Sequence, residues 1–184
     1  MKDWKIYQLQ NVVDVSQIKE DPIISDIGKR FIYRKNNLAR IENEDGVSGS
    51  ITRYNYPKYK DIFYYVKSVV ETVIGERLYP TYYFDRFYFS ETYLKKHIDR
   101  PSCEISVSMN ISNTTGVDWP ISFEHDGEIY DFTCDPGDCV LYKGMELPHW
   151  RNKLICPEGS YYHQIFFHYV RADGYYLQYA YDRI

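Results

Sequence analysis

The sequence predicts a mainly β protein, a sandwich or barrel with one α-helix packed against the outside of a sheet. From residue 78 onward, short apolar runs alternate with turn signals, which is typical of such folds. One amphipathic segment that suits a helix precedes them. The 21 tyrosines favour half-buried strands whose phenol groups find hydrogen-bond partners.

The helix is predicted over residues 57–75. Pro57 suits a first helical turn, and Gly75 is well placed as the C-terminal stop. The apolar residues between them recur at steps of three and four and form one stripe: Ile62, Phe63, Val66, Val69, Val70, Val73 and Ile74. The stripe indicates that one side of the helix packs on the sheet.

The first 56 residues carry weaker signals. Residues 6–15 are compatible with a strand, residues 15–27 have patchy helical spacing, and residues 43–50 form a polar loop. We expect this region to flank the core rather than to carry chemistry. The chain is interpreted as one domain, with a flanking segment at 1–77 and a β core at 78–184.

The β region contains seven predicted strands, at residues 79–90, 102–111, 119–124, 128–134, 139–142, 161–171 and 175–181. The first strand is aromatic throughout, as expected where both faces are covered. The second alternates, with apolar side chains at odd positions and Glu, Ser or Asn at even positions. Asp126 and Gly127 form a strong hairpin signal between the third and fourth strands.

Composition excludes several classes of protein. A net charge of −4 gives no electrostatic footprint for nucleic acid, whose binders are usually basic, so charge does not argue for a nucleic-acid partner. A small-molecule, peptide or protein substrate is expected. The four cysteines form no C-x-x-C pair, which argues against structural zinc. The sequence shows no signal-like leader and no run long enough to span a membrane. We therefore expect a soluble protein in a reducing, cytoplasmic compartment, including that of a phage host. The oligomeric state is not predicted.

Two histidines and one aspartate form the candidate metal site. His97 and Asp99 stand in an H-x-D motif, and His149 follows after several predicted strands. Two imidazoles and one carboxylate, with coordination positions left open, suit non-haem Fe(II) that must bind O₂ and a co-substrate. A bare H-x-D is weak evidence, because a surface turn gives the same pattern. The strands predicted around all three residues strengthen the metal interpretation.

The order of these features resembles that of the Fe(II)/2-oxoglutarate-dependent oxygenases. An aromatic strand, H-x-D-R-P, a further strand, P-G-D, P-H-W-R and a strand ending in F-H-Y-V follow one another over residues 79–171. Within this superfamily the chain is similar to the small, prolyl-hydroxylase-like branch common among phage and bacterial proteins. The resemblance implies a double-stranded β-helix, a cupin-like jelly roll with flanking N-terminal helices and the metal at one open end.

The resemblance also implies an activity. By it, His97, Asp99 and His149 are the catalytic iron ligands, and the cofactors are Fe(II), 2-oxoglutarate and O₂. The expected reaction is hydroxylation of an unactivated C–H bond, with a prolyl or other amino-acid side chain as the family-level substrate.

The chain departs from the family at the anchor for the distal carboxylate of 2-oxoglutarate. The family places an Arg or Lys at the start of the strand after the distal histidine, but residues 158–163 contain neither. Aligning the strand ends puts Tyr162 in the cation's place, with Gln164 and His168 on the same face. His163 would face the other side, and a slip of one residue would reverse this choice.

Other side chains could bind the acid or the substrate. Tyr88 matches a tyrosine that bonds the co-substrate in the family, and Arg86 on the same face could pair with a carboxylate. Arg100 and Arg151 flank the ligands and could bind either the co-substrate or the substrate; they are assigned to substrate. These residues also have structural interpretations. Arg86 could be a core arginine paired with an acidic neighbour, and His168 a hydrogen-bonded core histidine. Arg100 and Arg151 could be plain surface charges. The candidate co-substrate residues are Tyr88, Arg86, Tyr162, Gln164 and His168.

Two other functions remain open at this point. One is a cupin-like iron enzyme that does not use 2-oxoglutarate, which the missing cation favours and the D-R-P and P-H-W-R runs oppose. The other is a non-catalytic jelly-roll binding module. In every case we expect the metal-free protein to stay folded, because a β-sandwich core of this size supplies the stability.

Overall fold

The computed structural model describes residues 4–20, 24–25, 30–31 and 39–182. The elements are β1 (Ile6–Leu9), β2 (Ile24–Ser25), β3 (Arg30–Phe31), β4 (Ala39–Ile41), β5 (Ile51–Tyr54), α1 (Lys60–Ile74), β6 (Leu78–Tyr88), β7 (Leu94–His97), β8 (Ile105–Asn113), β9 (Ile121–His125), β10 (Glu128–Phe132), β11 (Cys139–Tyr142), β12 (His149–Arg151) and β13 (Tyr162–Arg171). The larger antiparallel sheet has the order β1-β11-β8-β13-β6-β5-β4, and the smaller has the order β10-β9-β12-β7. Side chains of β9 and β11 pack together between the two sheets, as in a sandwich.

The helix lies where the apolar stripe predicted it. Phe63, Val66, Val70 and Ile74 are buried against the outer face of the larger sheet. Gly75 ends the helix at φ +71°, and its N–H donates to the carbonyl of Glu71 at 2.9 Å. Within the described residues, no helix has both the length and the apolar character needed to cross a membrane.

Three expectations outside the core strands are wrong. The described chain has one α-helix rather than several N-terminal ones, and Val15–Gln17 forms only a 3₁₀ turn. The first strand ends at Leu9 because Asn11 adopts φ +51° and its N–H donates to Asp138. Residues 175–181 form no strand: β13 is already paired on both sides by β6 and β8, and a 3₁₀ turn at Leu177–Tyr179 follows instead.

The segment before the helix contributes three strands to the larger sheet. The strand β1 pairs with β11 at one edge, while β5 pairs with β6 and carries β4 at the other. The large sheet is thereby extended at both edges beyond the strands that follow the helix.

The two faces of the larger sheet differ in character. In β8 the odd positions, such as Val107 and Met109, belong to the apolar cluster beneath the helix. The even positions Ser106, Ser108 and Asn110 face the smaller sheet and are equally buried. Polar side chains therefore line the interior between the sheets, where the candidate site lies.

The smaller sheet is built on the predicted hairpin. Asp126 and Gly127 take φ values of +53° and +80°, the left-handed conformations that a tight two-residue turn requires. The strand β9 then pairs with β12, and β12 with β7, which places His149 directly opposite His97.

Candidate metal centre and its cavity

The strand pairing brings the three candidate ligands together. His97 and His149 are cross-strand neighbours with ring centroids 4.3 Å apart, and Asp99 follows at the end of β7. The Oδ1 atom of Asp99 lies 3.6 Å from Nε2 of each histidine. One ligand atom from each residue falls within 4.8 Å of the other two, so a single ion can contact all three.

Backbone carbonyls orient both imidazoles. His97 Nδ1 lies 2.7 Å from the carbonyl of Lys95, and His149 Nδ1 lies 2.9 Å from that of Leu147. A carbonyl only accepts hydrogen bonds, so each Nδ1 carries the proton and each Nε2 lone pair is left facing Asp99. Metal-binding histidines are commonly held in this way.

The carboxylate of Asp99 is fixed by its surroundings. Ser106 donates a hydrogen bond to Oδ2 of Asp99 at 2.9 Å, and the backbone N–H of Asp99 donates to the carbonyl of Gly144 at 2.9 Å. A Cβ on Gly144 would lie 2.3 Å from Oδ2, so only glycine fits there. Burial alone would raise the pKa of Asp99, but the imidazoles of His97 and His149 beside it and the hydrogen bond from Ser106 lower it to about 2. The group therefore stays ionised, as a metal ligand must.

The two imidazoles differ in how readily they take a proton. The neighbouring carboxylate of Asp99 raises the pKa of His97, whereas burial lowers the pKa of His149. His149, the buried ligand, is therefore held neutral. His97, which is partly exposed, takes up a proton more readily.

A cavity of about 580 Å³ opens beside the ligands. Four stacked aromatic rings, Tyr54, Tyr82, Phe84 and Phe166, form one side of it, here called the aromatic wall. The Phe84 and Phe166 centroids are 4.6 Å apart, and those of Tyr54 and Phe84 are 5.2 Å apart. The volume and the mixed lining suit a small organic acid together with part of a substrate.

Most of the candidate co-substrate residues share the inner face of the larger sheet. Tyr88 pairs with Tyr162 across the strands, and Arg86 pairs with Gln164. Tyr88, Arg86 and His168 line the cavity, whereas Tyr162 packs against Trp119 and donates to the carbonyl of Cys134. The structure thus brings this group of five together, with Tyr162 and Gln164 set behind the lining.

Arg86 is already neutralised. Its Nε donates to Thr52 at 2.8 Å, and its Nη2 lies 3.4 Å from Glu42. The acidic partner is therefore not a neighbour in sequence: Glu42 comes from the N-terminal segment. Long-range sheet pairing, which no local pattern reveals, selects this partner.

Arg100 and Arg151 lie in different environments. Arg100 lines the cavity mouth and pairs with Asp182 at 2.9 Å. Arg151 is only 2% exposed, so it is not a surface charge, and it donates to the carbonyl of Trp119. Trp150 between the ligand and Arg151 points outward and contacts Lys96.

His163 lies on the other face. Its Nε2 donates to Asp85 at 2.8 Å beneath the helix, and Arg53 binds the same carboxylate. This histidine therefore does not contribute to the cavity, as the alignment of strand ends predicted.

His168 adds an acceptor to the cavity. Ser106 has one proton and donates it to the ionised Asp99, so His168 Nδ1–H donates to Ser106 at 3.0 Å. Burial lowers the pKa of His168 to about 4, and its Nε2 has no hydrogen-bond partner among the described residues. Cys103 also lies within 4.8 Å of Asp99 and His168, but burial raises its pKa to about 12 and keeps it a thiol.

Sequence reasoning missed Ser106, Gly144 and Glu42 as parts of the site. The serine had a partial signal, because it belongs to the polar face of a strand whose other face is apolar. Gly144 acts through close backbone approach to Asp99, and Glu42 through ion pairing with a residue distant in sequence, and neither contact leaves a local pattern.

Neither family models nor curated proteins gave a match to this chain. Solved structures did. A viral collagen prolyl hydroxylase from Paramecium Bursaria Chlorella virus-1, in complex with 2-oxoglutarate, aligns over 92% of this chain and 97% of its own, with a TM-score of 0.62 and 8% identity.

Two bacterial structures agree with it. A 2OG-Fe(II) oxygenase family oxidoreductase from Burkholderia pseudomallei covers 73% of this chain and 74% of its own, with a TM-score of 0.57 and 12% identity. A Pseudomonas putida prolyl-4-hydroxylase covers 73% and 77%, with a TM-score of 0.54 and 14% identity. The chain therefore has the double-stranded β-helix fold of the 2-oxoglutarate oxygenases, as its sequence predicted.

Proposed function

We propose that this chain is an Fe(II)- and 2-oxoglutarate-dependent dioxygenase that hydroxylates an unactivated C–H bond. One observation carries the proposal: His97, Asp99 and His149 converge within 4.8 Å at the edge of a cavity. Two imidazoles and one carboxylate on one side of an ion leave the remaining positions for a bidentate acid and O₂. The fold likeness to 2-oxoglutarate oxygenases supports the same reaction class.

The residues present fit ferrous iron. Both Nε2 lone pairs are free, and Asp99 is ionised with its outer oxygen held by Ser106. Iron bound there would supply O₂ activation and the oxidative decarboxylation of 2-oxoglutarate to succinate. The role of the protein is to fix three ligands on one side of the metal position and to shield the open side with the aromatic wall.

The inner face of the larger sheet is proposed to hold the co-substrate. Tyr88 offers an O–H to a carboxylate oxygen, and Tyr162 and Gln164 close the space behind it. The unpartnered Nε2 of His168 is an acceptor, which suits a water or a substrate N–H or O–H better than a carboxylate. Arg100, at the cavity mouth, is placed to meet the substrate.

The proposed substrate is a prolyl or other amino-acid side chain, in a peptide or as a small molecule. Two of the three similar structures described above are prolyl hydroxylases. The flat apolar rings of the aromatic wall suit a small aliphatic ring, and both acidic and basic side chains, including Asp45 and Lys95, line the mouth. This mixed rim, on a chain of net charge −4, fits no nucleic acid.

The proposal is tested by anaerobic Fe(II) titration followed by measurement of succinate released from 2-oxoglutarate under O₂. We expect one iron per chain and iron-dependent succinate formation, slow without substrate and faster when proline-containing peptides are added. Iron binding without any 2-oxoglutarate binding would instead favour an iron enzyme that uses another acid. Absence of iron binding would reject both.

A further inference from the structure

Arg151 is a buried cation without an anion. Its Nη1 donates to the backbone carbonyl of Trp119, and its guanidinium lies 4.7 Å from the centroid of that indole and 5.5 Å from that of Tyr162. The amide orientation of Gln164 that satisfies both of its ends places Oε1 3.0 Å from Nη2. Nε is buried and has no partner. Every hydrogen-bond partner of the Arg151 side chain among the described residues is therefore neutral.

The other buried arginines are neutralised. Arg53 pairs with Asp85 and with Glu20, each at 2.5 Å, and Arg86 pairs with Glu42. A guanidinium cannot lose its proton at physiological pH, and a buried charge without a counter-ion is strongly unfavourable. The exception at Arg151 therefore indicates that a negative charge arrives from outside the described chain.

The position of Arg151 fits an acid that also reaches the metal. Arg151 lies two residues after His149 on β12, and both side chains are buried while Trp150 between them faces outward. Gln164 contacts Arg151 and lies on β13 between Tyr162 and Phe166. Phe166 lines the cavity. An acid held at one end by the metal would thus extend along the inner face toward the guanidinium.

We propose that Arg151 binds the distal carboxylate of the dicarboxylic co-substrate, in place of the cation that is missing at the start of β13. The inference rests on the proposed function and changes the role first assigned to this residue, from substrate to co-substrate. Gln164 holds the guanidinium from the β13 side, and Arg86 keeps its structural pair with Glu42. A planar guanidinium suits a carboxylate because two parallel hydrogen bonds can form.

The test compares variants in the Mn(II)-loaded protein by calorimetry. In Arg151→Met, and in Arg151→Gln, which keeps a donor for the Trp119 carbonyl, we expect unchanged Mn(II) binding. We expect the affinity for 2-oxoglutarate to fall about a hundredfold or more, since one partner of a buried charge pair is removed. Pyruvate has no distal carboxylate, so its weaker binding should be the same in all three proteins.

A swapped variant supplies the positive control. Arg151→Gln combined with Gln164→Arg moves the cation to β13 without changing composition. We expect it to recover 2-oxoglutarate affinity to within about tenfold of the unmodified protein. The thermal readout is independent of activity: 2-oxoglutarate should raise the unfolding temperature of the Mn(II)-loaded protein but not that of Arg151→Gln.

The outcomes separate this inference from the proposed function. If the unmodified protein binds neither metal nor 2-oxoglutarate, the proposed function fails. If it binds both, and Arg151→Gln binds 2-oxoglutarate equally well, only the role of Arg151 is rejected. Equal loss of 2-oxoglutarate and pyruvate binding in Arg151→Gln would also reject it, because the effect would then not concern the distal carboxylate.

Discussion

The two faces of the larger sheet carry buried charge in opposite ways. Beneath the helix, Arg53, Asp85 and His163 form a closed cluster in which each charge has a partner. On the inner face, Arg151 is a buried guanidinium with no carboxylate partner among the described residues. A paired buried charge holds a fold together, whereas an unpaired one in a native structure calls for a ligand of opposite charge. This contrast separates structural from functional side chains on one sheet.

The largest effect is expected from breaking the closed cluster. Asp85→Ala leaves Arg53 buried without its bidentate partner and removes the acceptor of His163, so we expect a loss of about 3–5 kcal/mol in unfolding free energy. Urea titration of the metal-free protein measures it. Arg151→Gln is the matched inner-face variant, and a loss as large as that of Asp85→Ala would erase the contrast between the faces.

The next largest effect concerns the hydrogen bond by which Ser106 holds Asp99. Ser106→Ala removes the donor to Oδ2, and we expect the affinity for Fe(II) to fall about 10- to 100-fold with the fold intact. Ser108→Ala, two residues along the same face, is the control that should keep its iron affinity. Equal affinities in both variants would show that Oδ2 needs no support.

A smaller effect should appear beneath the helix. Val70→Ala opens a cavity in the apolar cluster and should cost about 1–2 kcal/mol of unfolding free energy. Because Val70 packs on the outer face only, the iron affinity should not change. A drop in iron affinity would mean that the two faces are coupled through the sheet.

The smallest effect is on pH dependence. Burial lowers the pKa of His163 below its ordinary value of 6.5, so below that pH the unfolded chain binds a proton that the folded one does not. The stability of the metal-free protein should therefore fall as the pH drops from 6.5 toward the lowered pKa. Replacing this histidine, His163→Gln, should flatten the curve in that window, and an unchanged slope would assign the dependence to other groups.

The sequence predicted those features that depend on local periodicity. The stripe on α1, the aromatic run of β6 and the Asp126-Gly127 turn each set an element by short-range pattern, and the structure has all three. The H-x-D spacing with a distant histidine predicted which side chains converge. The fold class followed from their order along the chain.

What the sequence could not give depends on contacts between distant segments. Glu42 neutralises Arg86 only because β4 and β5 join the far edge of the sheet. Arg151 was assigned to substrate, with a plain surface charge as the alternative, yet β12 turns it inward between Trp119 and Tyr162. The tail after Arg171 had strand-like composition, but it follows β13, which is already paired on both sides by β6 and β8.

The convergence of His97, Asp99 and His149 on one ion is the central claim, and Fe(II) stoichiometry tests it most directly. Anaerobic titration of the unmodified protein should give one bound iron, while His97→Ala and Asp99→Ala should lose it and keep the circular dichroism of the folded state. One iron retained in both variants would contradict the account, because the metal would then have to bind elsewhere.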